Sequence, residues 1–254
     1  MTISVIARNT FKEAVRDRIL YLLLFFSGLT IILSRVLAVL TVGDRVKVVK
    51  DVGLASISFF GALMAIMIGT GLVYKEIEKR TIFTLISKPI RRAEFLLGKF
   101  LGLVLTLAVM LGAMTLIFLV VVFLHTFKVE FGLVLAVVFI FMELVLLTAV
   151  AVLFSCFSTP ILSSLFALSF YLIGHFSWGL ETLIKKTPAG AGRTFLRILY
   201  TLLPDLENFN IKTEVVQNLP LPAGLWLGAA GYGAAYTAFV LLLAVLVFRR
   251  RDFI

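Results

Sequence analysis

Side chains able to do chemistry are sparse in this chain of 254 residues, and their spacing excludes more than it suggests. Cys156 stands alone at the end of an apolar run, so it forms neither an intramolecular disulfide nor a multi-thiolate metal site. His125 and His175 lie far apart, without clustered carboxylates, whereas a zinc site gathers three or four ligands. No G-x-x-x-x-G-K-S/T loop, serine nucleophile elbow or paired-histidine helix occurs. The expectation is a chain with no catalytic residues, no metal site and no cofactor of its own, unable by itself to hydrolyse ATP. One ionisable group stands out: Glu143, in the middle of a long apolar stretch. A carboxylate there costs at least about 2.5 kcal/mol unless it is paired, hydrated or protonated. It is expected to face the interior of a helix bundle, either on a substrate path or in a structural hydrogen bond between helices. Arg35 lies nearer the end of its apolar stretch and can snorkel.

The elements that must position such groups follow from composition. Hydrophobic residues make up 61% of the chain and charged residues 15%, with a mean hydropathy of +1.10, more apolar surface than a soluble globule can hide. A membrane-spanning helix needs about 20 apolar residues to cross roughly 30 Å of hydrocarbon. Six stretches meet that length: 19–42, 53–74, 100–124, 132–157, 161–180 and 225–248. Continuous runs without a period of two favour helices over barrel strands. The fold expected is therefore an all-α integral membrane protein with six transmembrane helices, forming a single domain over 1–254. Gly98, Gly102, Gly112, Gly228, Ala229, Gly231, Gly233 and Ala234 are small enough to let helix backbones approach closely, as ordinary packing in lipid requires.

Orientation follows from the basic residues. With six spans, fourteen lysines and arginines fall before the first span, between the second and third, and after the last, against Arg45, Lys47, Lys50 and Lys128 in the short loops of the other side. This bias places both termini in the cytoplasm. Lys185, Lys186, Arg193, Arg197 and Lys212 lie in the segment 181–224 on the other side, and long loops obey the rule weakly. The net charge of +10 is thus a topology signal, and no nucleic-acid partner is expected. Residues 1–18 lack the form of a cleaved signal peptide, because Glu13 and Asp17 interrupt the basic residues. Ile3, Ile6, Ala7, Phe11, Ala14 and Val15 fall on one helical face and Arg8, Asn9, Lys12, Glu13 and Arg16 on the other, which predicts an interfacial helix. Such a helix serves as a surface anchor or as part of a platform for a cytoplasmic partner.

The cytoplasmic segment 75–99 is charged and enclosed by spans. Its first part sets Ile77, Arg80 or Thr81, Thr84 and Lys88 at helical spacing, with Glu76 and Glu78 toward the N-terminal side and Pro89 ending the run, which predicts a short cytoplasmic helix. Spacing alone leaves a solvated connection and a docking surface equally open.

The run Tyr74-Lys75-Glu76-Ile77-Glu78-Lys79-Arg80-Thr81, followed by Leu85, Ser87-Lys88-Pro89, Arg91-Arg92 and Gly98-Lys99-Phe100-Leu101-Gly102, resembles permeases of the ABC-2 type. More narrowly it is similar to the branch that includes the nitrous-oxide-reductase maturation permease. Leu203-Pro204-Asp205-Leu206-Glu207-Asn208-Phe209-Asn210 resembles that family's Pro-x-x-x-x-Phe-Asn stretch before the final helix. Arg80 departs from the pattern, where many relatives carry Gly.

The resemblance implies six spans, cytoplasmic termini and residence in a prokaryotic cytoplasmic (inner) membrane. It also implies a separate ABC ATPase subunit, carrying ATP and Mg²⁺, that receives the coupling helix. On that analogy Glu76, Glu78, Lys79, Arg80 and Thr81 make or orient the ATPase contact, and Lys88, Arg91 and Arg92 meet lipid phosphate or the partner. Pro204, Asp205, Phe209 and Asn210 would belong to an outer gate or to a surface for an extracytoplasmic partner. The stretch containing Arg193, Phe195, Leu196, Ile198, Leu199, Tyr200, Leu202 and Leu203 is amphipathic and would lie at the outer interface or re-enter the membrane. Facing bundles require a second copy or a related permease. The function expected is the permease subunit of an ABC exporter; the alternatives are an ion-coupled secondary carrier and a noncatalytic membrane anchor of an assembly or signalling complex.

Overall fold

The computed structural model of the protein describes residues 2–41, 44–78, 91–128, 130–187, 190–202, 204–220 and 224–250. Among them the regular elements are helical: α1 (Thr2–Ala14), α2 (Arg18–Leu40), α3 (Arg45–Glu78), α4 (Arg92–Thr126), α5 (Phe131–Ser155), α6 (Pro160–His175), α7 (Ser177–Lys186), α8 (Ala191–Leu202), a 3₁₀ turn (Leu206–Phe209), α9 (Lys212–Val216) and α10 (Leu225–Arg250). Local chemistry sets several ends. The Asp17 carboxylate accepts from the Ile19 N–H at 3.0 Å and starts α2, satisfying a donor the helix cannot. Asp44 does the same for Val46 at the head of α3, at 3.1 Å. Pro160 opens α6, where its missing N–H costs nothing and its fixed φ suits the helix.

Five of these helices, α2, α3, α4, α5 and α10, are long and apolar enough to cross a membrane. The fifth expected span, 161–180, is not among them, so the count of six is not confirmed. Its helix α6 has 16 residues, about 24 Å at the helical rise and short of a typical hydrocarbon core, and it ends where Phe176 leaves the helical region at φ −98°, ψ 23°. The break accompanies two contacts at the α6 terminus: His175 turns to α5, and Gly174 accepts Leu206 from beyond. Two other spans outrun their expected bounds because their charges find partners. Helix α3 starts at Arg45, and Lys50 within it is 4% exposed and paired with Glu130 at 2.6 Å. Helix α4 starts at Arg92 rather than 100, and its buried Lys99 lies 3.6 Å from Glu13. The Lys50 pair yields a prediction. Glu130→Gln leaves a buried ammonium without its counter-charge, at a cost of about 2 kcal/mol, read as a fall of roughly 4–8 °C in the melting temperature of the detergent-solubilised protein.

Helices α3 and α5 form the centre of the bundle. Most of the apolar length of each is buried, whereas α2 and α10 bury less than a third of theirs. Around them, α5 touches α3, α4, α6, α9, α10 and the 3₁₀ turn. The outward faces of α2 and α10 are apolar instead of polar: Phe25, Ile32 and Val36 on α2, and Trp226, Leu242 and Leu246 on α10, are more than half exposed. That inversion suits a lipid solvent and no aqueous one. Some interior hydroxyls are satisfied within their own helices, as where Thr148 Oγ1 donates to the Leu144 carbonyl at 2.7 Å and Thr106 to Gly102 at 2.9 Å, whereas those of Thr10, Ser27 and Ser163 make no hydrogen bond within the protein.

Contacts bring specific helix ends together. Arg92 Nη1 donates to the carbonyls of Phe248 at 3.3 Å and Arg249 at 2.9 Å, so the start of α4 lies beside the end of α10. Ala14, Leu20, Thr70 and Pro160 border one cleft, which joins the starts of α2 and α6 to the end of α3. Helix α1 crosses the start of α4 over two glycines. A Cβ on Gly98 would stand 2.8 Å from Ile6 Cβ, and one on Gly102 would stand 2.6 Å from the Ala7 carbonyl oxygen. Thr10 and Ala14 are buried there, while Arg8, Asn9, Lys12, Glu13 and Arg16 stay exposed. This is the proximal end; the opposite one is distal. Not every small residue grouped with these two makes such a crossing: Gly112, Gly228 and Gly231 meet nothing within 4 Å in this chain.

Candidate functional site

Glu143 occupies the middle of α5 and is fully buried, with Ile140, Leu144 and Leu147 buried about it on the same helix. Neither carboxylate oxygen makes a hydrogen bond within the protein. Its nearest basic atom is His175 Nε2, 3.5 Å away at the end of α6, within ion-pair range and beyond good hydrogen-bond length. The expectation that His175 has no carboxylate partner is therefore corrected: residues distant in sequence meet because α5 and α6 run side by side. One helical turn before His175, the Tyr171 ring packs on the imidazole with centroids 4.6 Å apart. The Tyr171 hydroxyl lies 3.5 Å from Ser58 Oγ on α3. Ser58 Oγ also accepts a hydrogen bond from Lys212 Nζ at 3.1 Å, and Lys212 acts electrostatically on both Glu143 and His175.

Lys212 reaches this depth because the chain before α10 folds back into the bundle. Pro204 is buried. The Asp205 N–H donates to the Tyr232 hydroxyl on α10 at 2.9 Å, and its carboxylate accepts from the Glu207 N–H at 3.2 Å, which starts the 3₁₀ turn. Leu206 and Phe209 are fully buried. They fit against glycines: a Cβ on Gly174 of α6 would stand 2.6 Å from Leu206, and one on Gly233 of α10 would stand 3.0 Å from Phe209. Asn210 closes the turn, its backbone N–H donating to the Glu207 carbonyl at 2.9 Å and its side-chain amide to Glu207 Oε1 at 2.8 Å. Ile211, Val215 and Val216 then bury α9 against α3 and α5. Residues 204–216 thus form a wedge in the distal half of the bundle, and Pro204, Asp205, Phe209 and Asn210 all lie in it.

The other residues singled out in the sequence lie elsewhere. Glu76 and Glu78 fall in the last described turns of α3, which runs on past 74, and the rest of the short helix expected there lies outside the described residues. Lys79, Arg80, Thr81 and Lys88 lie outside the described residues. Arg91 is the exposed N-cap of α4, and Arg92 is held by the carbonyls at the end of α10. Together with Arg249 these two arginines border a basic cleft at the proximal end. Sequence reading overlooked Ser58, Tyr171, His175 and Lys212 as a group. The signal available was the four-residue spacing of Tyr171 and His175, which sets both on one face of an apolar helix.

The cluster combines the buried carboxylate of Glu143 and hydroxyl of Ser58 with a half-buried imidazole, phenol and ammonium. It can orient a hydrogen-bonded group or balance a charge, but Glu143 and His175 supply too few ligands for the usual zinc geometry. Among the described residues no group of three or more His, Cys, Asp or Glu comes together.

No curated protein matches the chain. Over residues 4–253, nearly its whole length, the sequence matches the family described as ABC-2 family transporter protein. With its apolar-surfaced helices this makes it a multi-pass membrane protein, and the chain belongs to the ABC-2 transporter family, whose members are the membrane subunits of ABC transporters and generally work with ABC ATPase subunits.

Proposed function

We propose that the chain is the six-pass permease of an ABC exporter, with α6 as its short fifth pass and its distal end facing away from the cytoplasm. The observation that carries this reading is the gathering of α1, the end of α3, the start of α4 and the end of α10 at one end of the bundle. Those elements bracket the charged segment 75–99, and the fourteen-to-four basic bias assigns that end to the cytoplasm. The chain itself is no enzyme on this reading. ATP and Mg²⁺ belong to a separate ATPase, which meets Glu76, Glu78, Lys79, Arg80 and Thr81, while Lys88, Arg91 and Arg92 face that partner or lipid phosphate. A second copy or a related permease completes the pathway, Glu143 lies on or beside it, and the 204–216 wedge forms its outer gate. The motif run from Tyr74 to Gly102 supports placement in the prokaryotic branch that includes the nitrous-oxide-reductase maturation permease.

The test is purification of the tagged chain from its native host in mild detergent, with ATP hydrolysis and co-purifying proteins measured. A separate ATPase is expected with the wild type, with recovery and activity reduced at least tenfold in Glu76→Ala/Glu78→Ala. A chain that purifies alone under several mild conditions points instead to an ion-coupled carrier.

A further inference from the structure

The start of α4 and the end of α10 enclose a cleft of about 500 Å³ lined by Arg91, Arg92, Ala93, Val245 and Arg249. Its two sides are fixed to each other: Arg92 is held by the carbonyls of Phe248 and Arg249, and the rings of Phe95 and Phe248 stack between the same helices, 6.1 Å apart. Arg91 and Arg249 are exposed, and among the described residues no carboxylate lies within ion-pair range of either. Glu94, in the first turn of α4, is outside the lining. In sequence, Lys88, Arg250 and Arg251 add charge of the same sign, against Asp252. Along α10 this cleft is followed by an apolar groove. Leu241, one turn from Val245, lines it with Ala234 and Ala238 of α10 and Met142 and Val145 of α5, around a volume of about 420 Å³. Steps of three or four residues set Ala234, Ala238, Leu241, Val245 and Arg249 on one face of α10.

We propose that this cleft binds an anionic phospholipid of the proximal leaflet, with its phosphate on Arg91 and Arg249 and one acyl chain running along α10 into the groove against α5. The proposal rests on the reading that these arginines face a partner or lipid phosphate, and it chooses the lipid. Basic pockets between membrane helices suit anionic headgroups, because each arginine near the surface attracts negative charge. A zwitterionic lipid brings its own ammonium beside the phosphate, and the arginines repel it. The length also fits. One leaflet supplies about 15 Å of hydrocarbon, which at about 1.5 Å per residue matches some ten residues of α10, from Arg249 past Leu241 to the level of Ala238. Ala234 and Ala238 are exposed, so the groove is open to a chain arriving from the bilayer. A soluble partner could pair with the arginines but has nothing to place in an apolar groove between two spans.

The test is native mass spectrometry of the full chain, purified with whatever partner it retains and titrated with phosphatidylglycerol or with phosphatidylcholine of the same acyl chains. The wild type is expected to retain phosphatidylglycerol at least about tenfold better. Arg91→Gln/Arg249→Gln is expected to bring the two lipids within about twofold of each other, while Arg91→Lys/Arg249→Lys and the distal control Arg45→Gln/Lys47→Gln keep the preference. Ala238→Phe, which fills the groove and leaves the charges, is expected to weaken phosphatidylglycerol binding at least about fivefold. Excess inorganic phosphate is expected to leave the bound lipid in place. Absence of a preference in the wild type, its survival in Arg91→Gln/Arg249→Gln, its loss in the lysine pair or the distal control, full binding in Ala238→Phe, or displacement by inorganic phosphate each overturns the proposal. So does a glutamine pair that keeps its lipid preference and loses a co-purified ATPase, which assigns the cleft to that partner. If the lipid results are as expected but the chain purifies with no ATPase under any mild condition, the lipid site stands and the transporter-subunit reading falls.

Discussion

Glu143→Lys is expected to abolish recovery of folded protein, whereas Glu143→Gln leaves it monodisperse with a melting temperature within a few degrees of wild type. The lysine variant puts an ammonium into the fully buried centre of α5, beside His175 and within the field of Lys212. Insertion scales set the cost of a central lysine at about 2.5–3.5 kcal/mol before any repulsion is counted. Repulsion from the Lys212 ammonium adds to that cost, against a total stability of about 5–15 kcal/mol for a typical domain. Glutamine keeps the shape and removes the charge, so it creates no such conflict. Size-exclusion chromatography and thermal unfolding in detergent decide the matter. A well-folded lysine variant would mean that Glu143 faces water or lipid, and the polar cluster would then be an incidental contact.

Gly102→Leu is expected to release helix α1 from the bundle, while the same substitution at Gly112 in the same helix is nearly silent. At Gly102 even a Cβ lies 2.6 Å from the backbone oxygen of Ala7 and 2.6 Å from Thr10 Cβ, and a backbone carbonyl cannot rotate away as a side chain can. Overpacking a well-filled site costs about 1–3 kcal/mol. With backbone on the far side, the cost lies at or above that range and exceeds what the few buried residues of a 13-residue helix regain by staying. Gly112 meets nothing within 4 Å, so a leucine there adds apolar surface to an apolar exterior, with an effect within about 0.5 kcal/mol. Amide hydrogen exchange over residues 2–14 reads the difference. Protection lost in Gly102→Leu and kept in Gly112→Leu is the expected result; equal protection in both would show that the crossing is not tight.

The contrast between those two glycines shows where sequence reading stops. Both sit in an apolar helix and look alike as small residues in a span, because composition records which side chains are small and not which face meets a neighbour. The amphipathic pattern of residues 3–16 was legible, since a period of 3.6 residues is written locally. Its docking on α4 was not, because that contact depends on the crossing angle of two helices distant in sequence. Lys50 and Lys99 mislead a hydropathy reading for the same reason. Each looks like the end of a span until Glu130 or Glu13 is found beside it.

The candidate site divides in the same way. Glu143 was visible from sequence because a charge in an apolar run is costly wherever the run packs. His175, Tyr171, Ser58 and Lys212 were invisible as a group, since they come from three further elements that only the folded bundle brings to one depth. The segment 204–216 was marked by its Pro204 and Asn210 motif, yet the motif did not say that the chain turns inward.

What the sequence by itself determined was the solvent, the helices and the side on which charge accumulates, because hydrophobic length and basic bias act residue by residue without reference to partners. The tertiary structure decided which charges are neutralised, which glycines are crossings, where the short α6 stops and how Lys212 reaches the field of Glu143. Those outcomes depend on distances between segments far apart in the chain, and such distances are set by the close packing of the whole bundle.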